Sequence, residues 1–315
     1  GLPDLWNTKP PLMLWIQILF IKILGFNELA VRLPSAIAAT VSILALFLFM
    51  ARRFSLLWAW MSSLILVTSF GFITFHTARG ADADALLSCF LLFANIYFFR
   101  WLQEEKGRHL LLFFVFLTLA FATKSFAALL FGPAWGIILL QQKKFVRCLF
   151  NRHFLAGLAV FVLTGAGLFV LRELDTPGFL RVVLYKDAGQ LFREIEHHRE
   201  PFLFYVDNFL LTRYTFWFVL LTIGLFMNLV ARSGPEKSLL TVFSLLILGY
   251  LLVISLATTK LEWHDMPLYP LMAVVAAYPL YRLVQELIPP VAGRFRFIQP
   301  IALLCLFAYP FTMMV

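Results

Sequence analysis

Charge is what this chain has least of. Of 315 residues only 14% are Asp, Glu, Lys or Arg, against 62% that are hydrophobic, and the mean hydropathy is +0.87. So little charge excludes an ordinary soluble domain, and the long apolar runs require lipid. Cysteine is scarce too. Cys89, Cys148 and Cys305 show no metal-ligand spacing, and an odd number cannot all pair internally. They read as small apolar side chains in or near helices. There is no Walker loop, no Gly-rich dinucleotide fingerprint and no zincin motif. No basic–aromatic nucleic-acid module is present, so nucleic acid is not expected as a partner. No internal repeat is evident, which counts against a transporter of duplicated halves. A starting Met, a signal peptide and a transit peptide are all missing. The sequence opens on Gly1 in a loop-like segment and stops within the apolar run 298–315. It reads as one transmembrane domain, residues 1–315, cut at both ends.

What the chain does have is aromatic and apolar length, with 36 Phe among its residues. Hydropathy and breaks predict an all-α polytopic membrane protein of about ten spans. They fall near 33–51, 55–76, 83–102, 108–123, 125–141, 154–172, 203–230, 238–257, 266–286 and 297–315. The runs 108–123 and 125–141 are short, so their helices should extend into the flanking loops. Segment 11–24 contains Lys22 and ends at Gly25. Its length suits an interfacial or re-entrant helix, with Trp15 at headgroup depth. Interfacial segments are expected near 1–30 and 173–202.

Alternate loops differ in charge. One set holds 14 basic residues, among them Arg53, Lys106, Lys144 and Arg294, against four acidic ones, a net of +10. The other set nets −1, and the two together give the chain's +9. Short loops rich in Lys and Arg stay cytoplasmic. The second set then faces the periplasm or exterior. The basic surplus is a topology signal, with attraction to anionic membrane lipids secondary to it. The alternation works only if 11–24 does not cross.

Chemistry is expected in the outward loops, because three of them end long apolar runs with charge: Asn7-Thr8-Lys9-Pro10-Pro11-Leu12, Arg79-Gly80-Ala81-Asp82-Ala83-Asp84 and Thr259-Lys260-Leu261-Glu262-Trp263-His264-Asp265. The prolines after Lys9 fix φ and remove two donors, so a cation is presented on rigid chain; a snorkelling lysine is the plain alternative. Asp82 and Asp84 suit a helix N-terminus, though capping needs only one acid. Lys124 lies between two apolar runs. A lysine at the bilayer centre costs about 2.5–3.5 kcal/mol on insertion scales, so it belongs at the surface or on a polar cavity. The longest outward loop, about 172–201, carries Arg193, His197, His198 and Arg199, and its stretch 179–192 suits an amphipathic surface helix. Trp263 and Tyr269 fit an aromatic belt. Such a face suits an anionic, lipid-linked substrate.

The ordered set of motifs carries a resemblance. Lys9-Pro10-Pro11-Leu12 is followed by Glu28…Arg32-Leu33-Pro34-Ser35, Arg79…Asp84-Ala85-Leu86-Leu87, Ala122-Thr123-Lys124, His198-Arg199-Glu200-Pro201-Phe202…Tyr205 and Lys260-Leu261…Pro267…Pro270. Together they resemble the bacterial branch of the GT-C fold membrane glycosyltransferases, the group of the aminoarabinose lipid A transferases and the relatives of protein O-mannosyltransferases. The resemblance covers nearly the whole chain. It implies an inverting transfer of a sugar from a polyprenyl-phosphate donor to a lipid, glycan or protein acceptor outside the inner membrane. It also implies donor-phosphate roles for Lys9, Lys124 and Lys260, for Arg193 and Arg199, and for His264, which stands where some relatives have Tyr. Asp84 matches a recurrent acidic position, with Arg79, Asp82, His198, Glu262 and Tyr269 in support. The chain departs from the family in two places. The family's main acidic motif belongs to a first outward loop upstream of Gly1, so the catalytic carboxylate is not assigned, with Asp84 the candidate among the acids present. Some relatives also have a metal-holding Glu just before Lys-Pro-Pro, where this chain has Thr8. No cofactor is expected, with a divalent metal left open. The alternatives are a polytopic transporter or channel for an anionic solute or lipid, which should place charge deep in several spans, and a non-catalytic assembly scaffold. Arg213 and Asn95 are the mild exceptions to charge at span ends.

Overall fold

A computed structural model describes residues 8–74, 76–189 and 198–287. Among them the regular structure is helical, with one isolated bridge pairing Arg199 with Thr259. The principal helices are α1 (Leu12–Leu24), α2 (Glu28–Arg53), α3 (Leu56–Val67), α4 (Asp84–Glu104), α5 (Gly107–Lys124), α6 (Gly132–Gln141), α7 (Arg152–Asp175), α8 (Thr215–Val230), α9 (Pro235–Leu256) and α10 (Tyr269–Leu287). Among the described residues six stretches are long and apolar enough to cross a membrane: α2, α4, α5 with its extension to Leu129, α7, α9 and Glu262–Glu286. The other apolar helices α1, α3 and α8 are shorter.

Local chemistry sets the helix ends. Asn27 caps α2 by accepting from the Ala30 N–H at 2.9 Å, with Glu28 in the first turn and Arg52 and Arg53 in the last, which suits the helix dipole. Pro235 opens α9, where a missing N–H costs nothing. Gly25, at φ +81, ends α1 in backbone that a side chain would strain.

Several expected spans are broken, each for a visible reason. The stretch 203–230 is interrupted because Arg213 is buried at the end of a π-helical turn, Phe209–Arg213, and α8 starts only afterwards. The stretch 55–76 ends as α3 at Val67, where the Thr68 and Ser69 hydroxyls turn back onto the Leu64 and Ile65 carbonyls. The run 125–141 is not one helix. A 3₁₀ turn, Ser125–Leu129, continues α5, and α6 follows separately. The amphipathic helix expected over 179–192 is a short α-helix, Phe179–Val183, passing into a π-helical turn, Leu184–Ala188. The rest of that expected helix, from 190 onward, lies outside the described residues, as does the expected span 297–315.

α4 and Glu262–Glu286 form the centre of the bundle, 78% and 72% buried, while α7 is 11% buried and lies at the margin with its leucines exposed. α4 packs on α2 and α5, α5 on α7, and α10 on α3, α8 and α9. Small residues permit the closest approaches. A Cβ on Gly224 of α8 would run into the Val275 carbonyl of α10, and one on Gly249 of α9 would lie 2.7 Å from the Ala134 Cβ of α6.

Candidate functional site

Charge collects at the two ends of α4, about 30 Å apart by helical rise. At its C-terminal end Glu104 is bound by Arg53, by Lys106 at 2.8 Å and by His109 at 3.2 Å, and Glu105 by Arg147 and by Lys144 at 2.8 Å. These residues pair with one another at the bundle end. The other end holds the cavities.

There Asp84, in the first turn of α4, accepts from the Lys124 ammonium at 2.6 Å. Lys124 is the last residue of α5, and both side chains are buried. Removing one member would leave an uncompensated buried charge. Ser125 follows at φ +39, a conformation uncommon for serine, which breaks α5 and turns its hydroxyl onto Asp187 at 3.0 Å. Asp187 also accepts from the Thr8 hydroxyl and the Lys9 ammonium, both at 3.0 Å. Lys9 lies just ahead of Pro11, the N-cap residue of α1. Gln17 of α1 donates to the Val31 and Ala81 carbonyls at 3.1 and 2.9 Å, and Ser35 to the Asp82 carbonyl at 3.0 Å. These contacts hold the Lys-Pro-Pro segment against the acidic turn before α4.

Two cavities share this cluster. The smaller, about 280 Å³, is lined by Lys9, Asp84, Lys124, Asp187, Tyr250 and His264 among others. The larger, about 480 Å³, adds His76, Asp82, Lys186, His198 and Trp263. An adjoining groove of about 330 Å³ runs from Lys9 over Pro10, Pro11 and Trp15 to Phe169 and Phe179, so it is mostly apolar and aromatic. Asp82 bonds His76 Nδ1 at 2.7 Å, and the His76 ring stacks on Trp263 at 4.1 Å. Among the described residues no three His, Cys, Asp or Glu side chains assemble as a metal site.

A second buried cluster braces the segment that carries His264. Arg213 makes a two-pronged bond to Asp265, 2.9 Å on each side, and donates to the Gly71 carbonyl at 3.1 Å. The Tyr269 hydroxyl donates to Asp265 at 2.8 Å. Tyr250 donates to the His264 carbonyl at 2.9 Å.

The expected site residues thus divide. Lys9, Lys124, Asp84, Asp82, His198 and His264 meet at the cavities. Lys260 does not line them. Its buried ammonium donates to the Glu200 and Ala257 carbonyls at 2.9 and 2.5 Å, where it ties two loop segments together. Burial pushes it below the usual lysine range. Tyr269 belongs to the Arg213 cluster, and the exposed Glu262 carboxylate lies 3.8 Å from Arg213. Arg199 enters the loop bridge through its backbone and is exposed, as is Arg79. Arg193 lies outside the described residues. Sequence reasoning missed Asp187, Ser125 and His76, which carry no spacing signal.

Residues 8–167 match the family model of dolichyl-phosphate-mannose-protein mannosyltransferase. The chain belongs to this family. Among curated relatives of the mannosyltransferase-family chain, an uncharacterised protein of Aquifex aeolicus is 28% identical over 276 residues, 86% of this chain and 52% of that protein. The putative mannosyltransferase YycA of Bacillus subtilis is 28% identical over 158 residues, 48% of this chain and 23% of that protein. The chain therefore spans about half the length of the first and less of the second. The crystal structure of ArnT from Cupriavidus metallidurans bound to undecaprenyl phosphate superposes with a TM-score of 0.75 at 16% identity, over 95% of this chain and 53% of that one. The fold is GT-C, as the ordered motifs implied.

Proposed function

We propose that residues 1–315 form one transmembrane glycosyltransferase domain that takes a sugar from a polyprenyl-phosphate donor and passes it to a lipid, glycan or protein acceptor. The reaction is assigned to the outer face of a bacterial inner membrane and to inversion at the sugar carbon. The observation that carries this reading is the junction at Lys9: Lys9, Lys124 and His264 face a cavity whose other walls are largely apolar, and Lys9 also borders a second, largely apolar groove, as a ligand with a charged head and a prenyl tail requires. Support also comes from the family match and from an ArnT-like fold, ArnT itself having been crystallised with undecaprenyl phosphate.

In this reading the acceptor oxygen attacks the anomeric carbon, the bond from that carbon to the phosphate oxygen breaks, and its electron pair stays on the phosphate. Lys9 and Lys124 stabilise the charge that develops there. Asp84 anchors Lys124 through their ion pair, and the acceptor's proton passes to a carboxylate base other than Asp84. His198 and the His76–Asp82 pair line the outer side of the cavity, on which the acceptor would approach. No cofactor is invoked.

The test is transfer from radiolabelled polyprenyl-phosphate mannose by the full-length protein in proteoliposomes supplied with host membrane acceptors. Lys9 is 45% exposed, and without it Asp187 keeps the Thr8 and Ser125 hydroxyls, so the fold should tolerate its loss. Lys9→Ala should reduce transfer about tenfold or more, the worth of a charge-assisted hydrogen bond of roughly 1.5–3 kcal/mol. Lys143→Ala, at the opposite end, should leave transfer unchanged. Equal transfer by Lys9→Ala and wild type at limiting donor would remove the assignment.

A further inference from the structure

We infer that Asp187 is a self-ligand of the phosphate site: its carboxylate occupies the Thr8, Lys9 and Ser125 donors, and a lipid-linked phosphate binds by taking its place. The inference rests on the reading of this cavity as a polyprenyl-phosphate site and adds how that site is controlled.

Three donors from two separate parts of the chain converge on one carboxylate. Thr8 Oγ1 and Lys9 Nζ reach Asp187 Oδ1, and Ser125 Oγ reaches Oδ2, each at 3.0 Å. Thr8 and Ser125 are buried, and the Asp187 side chain is 5% exposed. Two hydroxyls and an ammonium aimed at one point form an oxyanion cradle, equally suited to the oxygens of a phosphate. Ser125 adopts backbone with a positive φ, uncommon for serine, at the point where its hydroxyl meets Asp187.

The charge around the cavity gives the second reason. The larger cavity is lined by three lysines, Lys9, Lys124 and Lys186, and by three aspartates, Asp82, Asp84 and Asp187. With all three carboxylates ionised and in place, an anion entering meets no surplus positive charge. Of the three, Asp84 is fixed in the buried pair with Lys124, and Asp82 bonds His76. Asp187 holds the donors beside the apolar groove, so it is the one whose departure exposes a cation where a prenyl chain also fits. It sits in the π-helical turn Leu184–Ala188. A π turn carries one residue more per hydrogen-bonded ring than an α turn, and such turns recur at functional sites. Local rewinding would redirect the Asp187 side chain without unfolding Phe179–Val183. The exchange replaces one oxyanion with another, and no covalent bond forms or breaks.

The experiment is equilibrium binding to the full-length protein in detergent, with three probes: a short-chain polyprenyl phosphate, the matching polyprenol and inorganic phosphate. Asp187→Asn should bind polyprenyl phosphate roughly tenfold tighter than wild type, on the scale of one charge-assisted hydrogen bond. Polyprenol binding should not change. A parallel gain for inorganic phosphate supports exchange at the headgroup, whereas an equal gain for polyprenol overturns it. In a Lys9→Gln background the gain should shrink severalfold, because only the Thr8 and Ser125 hydroxyls are then contested between carboxylate and phosphate. The same gain in both backgrounds would reduce Asp187 to a distant charge and overturn the exchange. Asp187→Ala, with melting temperature as a fold check, should move affinity in the same direction. If wild type prefers the phosphate over the polyprenol but both Asp187 variants bind it no tighter, this inference falls and the donor reading stands. If no variant distinguishes the phosphate from the polyprenol, the donor reading falls and takes the inference with it.

Discussion

Asp84, Asp187 and Asp265 are buried carboxylates, and each is held by a different cation: Lys124, Lys9 and Arg213. Their energetics differ with the exposure of the partner. Arg213 and Asp265 are both enclosed, so Arg213→Met strands a charge and should cost about 3–5 kcal/mol, while Arg213→Met with Asp265→Leu should recover most of it. Thermal melts in detergent measure this, and equal loss in the single and double variants would contradict the pairing. The same logic separates the two site lysines. Lys124→Ala should lower the melting temperature as well as transfer, because Asp84 loses its partner; Lys9→Ala should lower transfer and leave melting nearly unchanged. Each of these residues except Asp187 stands out in the sequence as charge beside an apolar run. Their pairing does not, because Asp84 and Lys124 are 40 residues apart and no periodicity relates them. Asp187 gives no signal at all. Its stretch reads as one amphipathic surface helix, and only the fold brings Thr8 and Ser125 to it.

Among the elements, hydropathy locates apolar runs well but cannot see where side-chain hydrogen bonds end them. α2, α4, α7 and α9 lie within a few residues of their expected limits, since each is capped or charged at its ends. The expected spans 55–76 and 203–230 are broken at Thr68 and Arg213, where hydroxyls or a guanidinium take over from the helical ladder, and 125–141 divides between Leu129 and Gly132. Lys260 lies apart from the other expected lysines. Its place at a run's end suggested a ligand contact, yet the ammonium is spent on two carbonyls of its own chain. Close packing gives a test at this scale. Gly224→Ala should push α8 off α10 and cost roughly 1–3 kcal/mol as overpacking. Gly167→Ala on α7, where a Cβ meets nothing within 4 Å, should be neutral or stabilise by up to about 1 kcal/mol through helix propensity. Melting temperatures of the two variants check the contrast, and similar losses in both would argue against the α8–α10 contact.

Over the whole molecule, the loop-charge asymmetry read from the sequence assigns the Glu104 end of α4 to the cytoplasm. Arg79 and Lys143 are both exposed, one near each end. Cysteines at 79 and 143 should therefore react with a membrane-impermeant maleimide from opposite sides, 79 in intact cells and 143 only after permeabilisation. Labelling of both from the same side would overturn the orientation. The central claim is that the head of a polyprenyl phosphate meets Lys9 and Lys124 while its tail lies along the groove of Trp15, Phe169 and Phe179. The most direct measurement is photo-crosslinking of the full-length protein with a polyprenyl phosphate bearing a diazirine near the headgroup, followed by peptide mapping. Crosslinks should fall on α1, the C-terminal end of α5 with its extension to Leu129, and the C-terminal part of α7, and unlabelled polyprenyl phosphate should compete them away. Competable crosslinks confined to the Glu104 end of the bundle would contradict the account.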